Sequence, residues 1–307
     1  MTDELSRVAF LRLMAGAGAV ALLGQPVLAA GAMNRRIVPK TGVSVPVIGV
    51  GTARAWSVGK RPSDRAPHRE ILRLLFDAGG SVVDTSPMYG NAETVVGDLL
   101  RDLGVGDRAF FATKVWATGK QPGIDQMEKS LRLLHTDHLD LMQVHNLVDT
   151  QTHLATLRDW REKGIIRHVG ITHWTRNSVD VLAGIVAREK LDFVQLPYSL
   201  GMRDAEPRLL PLCADKGVAV LVNRPFVRGA MFRDARGRSI PPWAKGELGI
   251  SSWAQYFLKY LLGHPAVTCV IPGTGKPRHM AENIRAGLGP LPNARQHKKM
   301  LIDWQRV

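Results

Sequence analysis

The sequence predicts an α/β fold, a (β/α)8 TIM barrel of eight parallel strands with an N-terminal hairpin at the barrel bottom. From about residue 36 onward, apolar and β-branched segments of strand length alternate with helical patterns. These segments are continuously apolar, as expected of strands buried on both faces of a parallel sheet. Eight of them within about 240 residues favour a closed barrel over an open sheet. The segments are 45–51, 81–85, 109–115, 139–145, 167–172, 192–197, 218–223 and 267–273.

Helical patterns fill the intervals between these strands. In residues 68–80, Ile71, Leu74 and Leu75 share one helix face, and two glycines then stop the helix. Several later patterns end in Gly after a basic last turn, which complements the helix dipole. No G-x-G-x-x-G follows an early strand, and this disfavours a Rossmann dinucleotide fold.

Two segments lie outside the repeat. Residues 36–46 are predicted to form the hairpin that covers the bottom of the barrel. Residues 224–250 form a long, basic connection punctuated by Gly and Pro. Loops of this length in a compact domain are usually functional lids or mobile segments.

Composition narrows the class of partner. The 307 residues are 45% hydrophobic and carry a formal charge of +14, which favours anionic partners such as nucleotides, phosphates, nucleic acid or an anionic membrane. No basic stripe is interleaved with aromatics, so we predict no nucleic-acid binding. Cys213 and Cys269 form no CxxC and are predicted to be buried free thiols. The histidines have no metal-ligand spacing, so we predict no metal site.

The first residues resemble an export signal. Arg7 and Arg12 precede a small-residue apolar stretch, and the string "VLAA" offers a cleavage site after Ala29. The string "SRVAFLR" also resembles the twin-arginine pattern, although Val8 stands where the second arginine belongs. The apolar stretch is too short and too rich in Ala and Gly for a good membrane span.

We therefore predict an export-signal-like segment at 1–32, followed by one barrel domain at 33–307. This organisation predicts a periplasmic or exported protein without a stable membrane span after signal removal. The alternative is an uncleaved N-terminal extension on a cytoplasmic protein.

Polar residues stand at the ends of the otherwise apolar strands. In a TIM barrel these carboxyl ends converge on one face, where active sites are built. Such residues are poor core fillers and are what an active site would need there. They are Asp84, Lys114, His145, Thr172, Gln195, Asn223 and Gly273.

Four residues form a candidate acid–base set. Tyr89 follows the strand that ends at Asp84, and a free phenol titrates near pH 10, too high to be useful without help. The ammonium of Lys114 is expected to lower that pKa, and Asp84 is expected to hold the lysine charged. His145 is expected to orient the same substrate oxygen. The set describes a general acid that delivers a proton to an oxyanion forming from a carbonyl.

These motifs resemble the aldo-keto reductase superfamily over residues 36–290. "DTSPMYGNAE" resembles the family's Asp–Tyr motif, "ATKVW" its lysine strand and "QVHN" its histidine strand. The resemblance implies that Asp84, Tyr89, Lys114 and His145 are the catalytic tetrad. It also implies reduction of aldehydes and ketones with a nicotinamide cofactor, usually NADPH, bound across the barrel mouth.

The resemblance extends to the nicotinamide end of the cofactor site. In "GITHW", Thr172 keeps the hydroxyl of the family's Gly-x-Ser-Asn motif, and His173 replaces its asparagine. Gln195 matches the glutamine that binds the nicotinamide amide. The aromatic that usually stacks on the ring is replaced by Asn223, with Phe226 as a weaker candidate.

At the other end, "VIPGTGKPRHMAEN" resembles the segment that grips the adenosine phosphate. Gly273 stands in place of the usual lysine, and the usual arginine falls nearer His279. The resemblance implies an adenine-contacting pair, a phosphate-contacting hydroxyl and two neighbouring cations that supply the lost charge. These residues are, in turn, Glu282 and Asn283, Thr274, and Lys276 and Arg278. We therefore predict NADP(H), with NAD(H) as the alternative.

Tryptophans are predicted to wall the substrate pocket. Trp56, Trp116 and Trp174 lie just after strand ends, as family aromatics do, whereas ordinary packing is the alternative. The sequence as a whole predicts a monomeric carbonyl reductase for a small-molecule substrate. Two other hypotheses remain: a nicotinamide-binding sensor or accessory subunit with little turnover, and a different TIM-barrel enzyme.

Overall fold

The computed structural model describes residues 32–306, and its eight barrel strands follow the order of the eight predicted segments. Each predicted segment overlaps one barrel strand. The strands are β1 (Arg35–Ile37), β2 (Ser44–Pro46), β3 (Val50–Gly51), β4 (Val82–Asp84), β5 (Phe110–Val115), β6 (Leu139–His145), β7 (Ile166–Thr172), β8 (Phe193–Pro197), β9 (Ala219–Asn223) and β10 (Val267–Val270).

Helices connect the barrel strands. Most carry one buried apolar face, as the periodicity predicted. They are α1 (Pro62–Asp77), α2 (Ala92–Leu103), α3 (Lys120–Leu134), α4 (Thr150–Glu162), α5 (Val179–Arg188), α6 (Leu209–Asp215), α7 (Ala230–Asp234), α8 (Pro242–Leu248), α9 (Trp253–Gly263), α10 (Pro277–Ala286) and α11 (Ala294–Gln305).

The eight strands β3 to β10 lie side by side in chain order, and each neighbouring pair is parallel. Parallel bridges between Ile48 and Val270 and between Gly51 and Gly273 close the barrel. Closure requires a glycine at position 51, because a Cβ there would lie 2.8 Å from the carbonyl oxygen of Ile271. The predicted (β/α)8 barrel is confirmed.

The antiparallel hairpin of β1 and β2 lies at the amino-terminal end of the barrel, as predicted. Val38 and Val45 pack in one apolar cluster with Val82, Phe110 and Phe193, the first residues of β4, β5 and β8. This apolar burial stabilises the closed end.

The segment 224–250 is more regular than the long loop expected from its composition. It contains the short helices α7 and α8, which are anchored by the buried side chains of Met231 and Leu248. A few well-spaced apolar residues thus suffice to order it against the barrel. The two cysteines are buried and free, as predicted.

The predicted export segment at 1–32 lies outside the described residues, except for its last residue. Within residues 32–306, no helix combines the length and the apolar character needed to cross a membrane.

Candidate active site

The barrel brings the four acid–base candidates to its carboxyl-terminal mouth. Asp84 ends β4, Lys114 lies one residue from the end of β5, and His145 ends β6. Tyr89 stands in the loop between β4 and α2. Because adjacent parallel strands are in register, these side chains share one face of the molecule.

The centre of the site is a buried ion pair. Lys114 Nζ lies 2.8 Å from each carboxylate oxygen of Asp84 and donates a third hydrogen bond to the carbonyl oxygen of Thr85 at 2.6 Å. Gln195 Nε2 donates to Asp84 Oδ1 at 3.1 Å. Both charged side chains are almost fully buried, so their geometry is held by hydrogen bonds rather than by solvent.

The phenol of Tyr89 adjoins this pair. Lys114 Nζ is 5.1 Å from the centre of the Tyr89 ring, and the His145 ring meets the Tyr89 ring edge-on with centres 5.9 Å apart. Burial alone would lower the pKa of Lys114, but the charge of Asp84 and the neighbouring Tyr89 outweigh it and raise that pKa. The lysine is therefore cationic at neutral pH.

The direction of the Tyr89 shift differs from the sequence-based expectation. Burial raises the pKa of the phenol, and the Lys114 charge offsets this only in part. The expectation of a net lowering was wrong, because sequence reasoning counted the cation and not the desolvation. The phenol thus keeps its proton and can donate it.

His145 is held as a neutral imidazole. Its Nδ1 is 3.1 Å from Ser86 Oγ. Burial lowers the pKa of His145 to about 3, and the nearby Lys114 charge adds to the effect. The ring lines the cavity beside Tyr89, where it can form a neutral hydrogen bond to a substrate oxygen.

The neutral state of buried His145 predicts how the free energy of unfolding depends on pH. Its folded pKa, about 3, lies below the ordinary value of 6.5. Between these values the unfolded chain binds a proton that the folded chain does not, so the free energy of unfolding decreases as the pH falls through this window. We expect the wild type to lose about 1 kcal/mol more than His145→Gln between pH 7.0 and 5.5. Urea denaturation of both proteins measures this, and equal losses would contradict a neutral His145.

A cavity of about 1080 Å³ opens at the mouth. It runs from the acid–base residues past the ends of β7, β8 and β9 to helix α10. Most residues predicted from the resemblance line it. These are Asp84, Tyr89, His145, Thr172, His173, Trp174, Gln195, Asn223, Phe226, Gly273, Thr274, His279, Glu282 and Asn283.

Five predicted residues do not line the cavity, and one of them is Lys114, which is buried in its ion pair with Asp84. Trp56 is fully buried, and its Nε1 donates to the carbonyl oxygen of Thr274 at 3.0 Å. Trp116 is 43% exposed and does not line the cavity. Lys276 and Arg278, at the start of α10, also lie outside the lining. A residue that follows a strand end can therefore lie in the pocket wall, in the core or on the surface. Its position in the sequence did not show which of these applies.

The nicotinamide end has an altered set of polar groups. Thr172 Oγ1 donates to Gln195 Oε1 at 2.6 Å, and Gln195 in turn holds Asp84. His173 Nδ1 accepts the backbone N–H groups of Trp174 and Thr175 at 3.0 and 3.2 Å. The neutral imidazole therefore carries its proton on Nε2. Nδ1 of His173 thus stabilises its own loop, and the Nε2–H group remains available as a hydrogen-bond donor.

Two asparagines supply buried acceptors to the same region. Asn223 Nδ2 donates to the carbonyl oxygen of His173 at 3.1 Å. The Oδ1 atoms of Asn223 and Asn146 are buried without a hydrogen-bond partner within residues 32–306. Both residues line the cavity. Buried acceptors of this kind are suited to the amide N–H groups of a ligand.

The far end of the cavity is organised by α9 and α10. Glu282 accepts from Gln255 Nε2 at 2.8 Å and from Arg285 at 3.0 Å. Thr274 Oγ1 accepts the backbone N–H of Lys276 at 3.1 Å. These contacts hold Glu282, predicted to contact the adenine, and Thr274, predicted to contact the phosphate, in one wall of the cavity.

Several cavity residues were missed by sequence reasoning. They include one asparagine, three arginines and two aromatics: Asn146, Arg54, Arg224, Arg228, Phe232 and Trp253. The aromatics adjoin the segment 224–250 or lie within it, where only a basic, Pro-rich connection was apparent. Trp253 follows no strand end. It was missed because the other site residues were predicted from their positions at or just after strand ends.

The fold and the site together define a class of protein. The chain is a closed parallel barrel whose carboxyl-terminal mouth joins a buried Lys–Asp pair, a tyrosine and a histidine to one elongated cavity. The model of the Aldo/keto reductase family matches residues 47–298. The chain belongs to this family.

Individual relatives agree with this assignment. The chain is 29% identical to Methylglyoxal reductase YeaE of Escherichia coli (strain K12) over 259 residues, covering 82% of this chain and 89% of that protein. It is similar to an aldo/keto reductase from Klebsiella pneumoniae in complex with NADP and acetate, with a TM-score of 0.73 and 26% identity over 87% of this chain and 94% of that one. A K. pneumoniae aldo-keto reductase in complex with NADPH gives a TM-score of 0.73 and 26% identity, over 89% and 95%.

Proposed function

We propose that this protein is a nicotinamide-dependent oxidoreductase that reduces the carbonyl of an aldehyde or ketone to an alcohol. The observation that carries the proposal is the buried Lys114–Asp84 pair beside Tyr89 and His145 in one cavity. Family membership and the similarity to a methylglyoxal reductase support the same reaction class.

Tyr89 is the proton donor in this mechanism. Its raised pKa keeps the phenol protonated before reaction. As the carbonyl oxygen gains negative charge, the phenol transfers its proton, and the Lys114 cation stabilises the phenolate that remains. Asp84 keeps the ammonium in place. The reduced nicotinamide, when bound, supplies the hydride that the carbonyl carbon receives.

His145 orients the substrate. As a neutral imidazole 5.9 Å from the Tyr89 ring centre, it can hold the carbonyl oxygen without competing for the proton. Burial strengthens these hydrogen bonds because water no longer screens them. The two residues thus define the position of the reacting oxygen.

The cavity fits a nicotinamide dinucleotide. The unpartnered acceptors of Asn146 and Asn223 and the Nε2 donor of His173 suit a carboxamide. Glu282 and Asn283 would hold the adenine end. We propose NADP(H) over NAD(H). The relatives solved with NADP and NADPH support this choice. Lys276 and Arg278 also follow Thr274 closely in the sequence, and Thr274 lines the cavity.

A binding and turnover experiment tests the proposal. Fluorescence titration with NADPH and NADH comes first, followed by stopped-flow oxidation of bound NADPH with a panel of aldehydes that includes methylglyoxal. We expect tighter binding of NADPH than of NADH, and turnover with at least one aldehyde. Binding without turnover would instead support the sensor or accessory subunit. Failure to bind either nucleotide would point to a different barrel reaction.

A further inference from the structure

Ser86 lies between Asp84 and Tyr89 in the loop after β4, and its hydroxyl has no role in the mechanism proposed above. The residue is fully buried, and its Oγ lies 3.1 Å from Nδ1 of His145. The backbone N–H of Tyr89 donates to the carbonyl oxygen of Ser86 at 3.0 Å. This turn of the loop is therefore held by the backbone, and the hydroxyl is left to contact the imidazole.

The ring of His145 has a fixed orientation at the end of β6. The residue pairs with Thr172 of β7, and the backbone N–H of Asn146 donates to the carbonyl oxygen of Thr172 at 2.9 Å. The ring meets the Tyr89 ring edge-on and lines the cavity. Because Nδ1 faces Ser86, Nε2 is the nitrogen that remains for a ligand. It forms no hydrogen bond to any group among residues 32–306.

The supply of acceptors decides the direction of the hydrogen bond between Ser86 and His145. A neutral imidazole carries a hydrogen on one nitrogen and accepts through the other. In the described part of the chain, Ser86 Oγ contacts one acceptor, His145 Nδ1, and one donor, the backbone N–H of Met88 at 3.4 Å. A hydrogen on Nδ1 would leave the buried hydroxyl without an acceptor, which is unfavourable. Ser86 therefore donates to Nδ1, and the imidazole hydrogen lies on Nε2.

We infer that Ser86 is a positioning residue that fixes the Nε2–H tautomer of His145 and so directs a donor at the oxygen of the substrate. A carbonyl oxygen only accepts hydrogen bonds, so an unprotonated Nε2 would repel it and Nε2–H attracts it. As negative charge develops on that oxygen, Nε2–H and the phenol of Tyr89 both stabilise it. The inference rests on the proposed function, which places the reacting oxygen between these two residues.

His173 provides an internal reference for this tautomer. Its Nδ1 accepts the backbone N–H groups of Trp174 and Thr175, so its hydrogen also lies on Nε2. Backbone donors cannot be removed by a substitution at Ser86. The tautomer of His145 depends on one side chain, whereas that of His173 does not.

Nitrogen NMR of the full chain, with labelled histidine and without cofactor, tests the tautomer at neutral pH. Long-range nitrogen–proton correlation distinguishes a protonated ring nitrogen from an unprotonated one, and His145→Gln and His173→Gln assign the signals. We expect the wild type to carry the His145 hydrogen on Nε2. In Ser86→Ala the two tautomers should interconvert, so the two nitrogen signals of His145 move toward each other. The signals of His173 should stay unchanged.

Steady-state kinetics measure the consequence for the reaction. With the aldehyde that the wild type reduces fastest, Ser86→Ala should lower kcat/KM about tenfold, the effect of one hydrogen bond to the reacting oxygen. The Kd for NADPH should change less than about twofold, because the hydroxyl faces the imidazole. Ser86→Thr keeps the hydroxyl and should retain the Nε2–H tautomer and most of kcat/KM.

Ser130→Ala is the matched control. Ser130 is equally buried, and its hydroxyl donates to the carbonyl oxygen of Gln126 at 3.2 Å, away from the cavity lining. This variant should keep the His145 signals and kcat/KM of the wild type. Thermal unfolding confirms that each variant is folded, and the wild-type spectrum tests the tautomer without any variant of Ser86.

A hydrogen on Nδ1 of His145 in the wild type overturns the inference. The same holds if Ser86→Ala keeps the wild-type tautomer, or if it releases the tautomer and kcat/KM stays within twofold of Ser130→Ala. The NMR result does not depend on turnover, so it decides the tautomer even if no aldehyde is reduced. Conversely, a failed tautomer assignment leaves the carbonyl reductase proposal standing wherever the wild type shows turnover.

Discussion

Tyr89→Phe is expected to lower kcat for aldehyde reduction by a factor of about 100 to 10,000, the range for loss of a positioned general acid. The substitution removes one oxygen and keeps the ring that contacts Lys114 and His145. Binding of NADPH should therefore stay close to that of the wild type. Stopped-flow oxidation of bound NADPH measures the chemical step directly.

Tyr256→Phe is the matched control for this experiment. Tyr256 is buried, and its hydroxyl donates to the carbonyl oxygen of Met300 at 3.0 Å, but it does not line the cavity. Its loss should cost about 1 kcal/mol of stability and leave kcat unchanged. If Tyr89→Phe retained wild-type kcat, the assignment of the proton donor would be wrong.

Asp84→Asn is expected to have the largest effect on stability. It leaves the Lys114 ammonium buried opposite a neutral group, and breaking a buried ion pair in this way typically costs about 3–5 kcal/mol. Lys114→Met should reduce the stability by a similar amount because it leaves the Asp84 carboxylate buried without its partner. Both variants should also lose turnover, since the cation no longer stabilises the Tyr89 phenolate.

The double variant Asp84→Asn/Lys114→Met makes this prediction specific. It removes both charges, so its loss of unfolding free energy should be clearly smaller than the sum of the two single losses. The exposed pair of Asp159 and Lys163 is the control, and Asp159→Asn should cost at most about 1 kcal/mol. Urea denaturation measures all four variants. Additive losses at Asp84 and Lys114 would show that the buried pair is not coupled.

Tyr89 shows which properties of a site residue could be predicted from the local sequence and which could not. The sequence identified the phenol and its two charged neighbours, because a strand of apolar residues that ends on a carboxylate is conspicuous. It did not reveal the depth of the pocket, which raises the pKa of the phenol instead of lowering it. Desolvation depends on every residue that surrounds the group, and these residues come from distant parts of the chain.

The tryptophans show the same limit. Trp56 and Trp174 both follow strand ends, yet one is enclosed in the core against His68 and the other is exposed at the cavity wall. Trp253 lines the cavity although no strand leads to it. Whether a side chain faces a pocket depends on how the loops pack against one another, and the spacing within one loop does not contain that information.

The sequence alone determined the barrel, the order of its strands and the positions of the acid–base candidates at or near their ends, because hydrophobic periodicity and strand termini are local properties. The tertiary structure decided the protonation of Tyr89 and His145, the burial of Trp56 and the convergence of Arg54 with Arg224 and Arg228. These properties arise from desolvation and from contacts between segments far apart in the chain. They exist only once the barrel has closed.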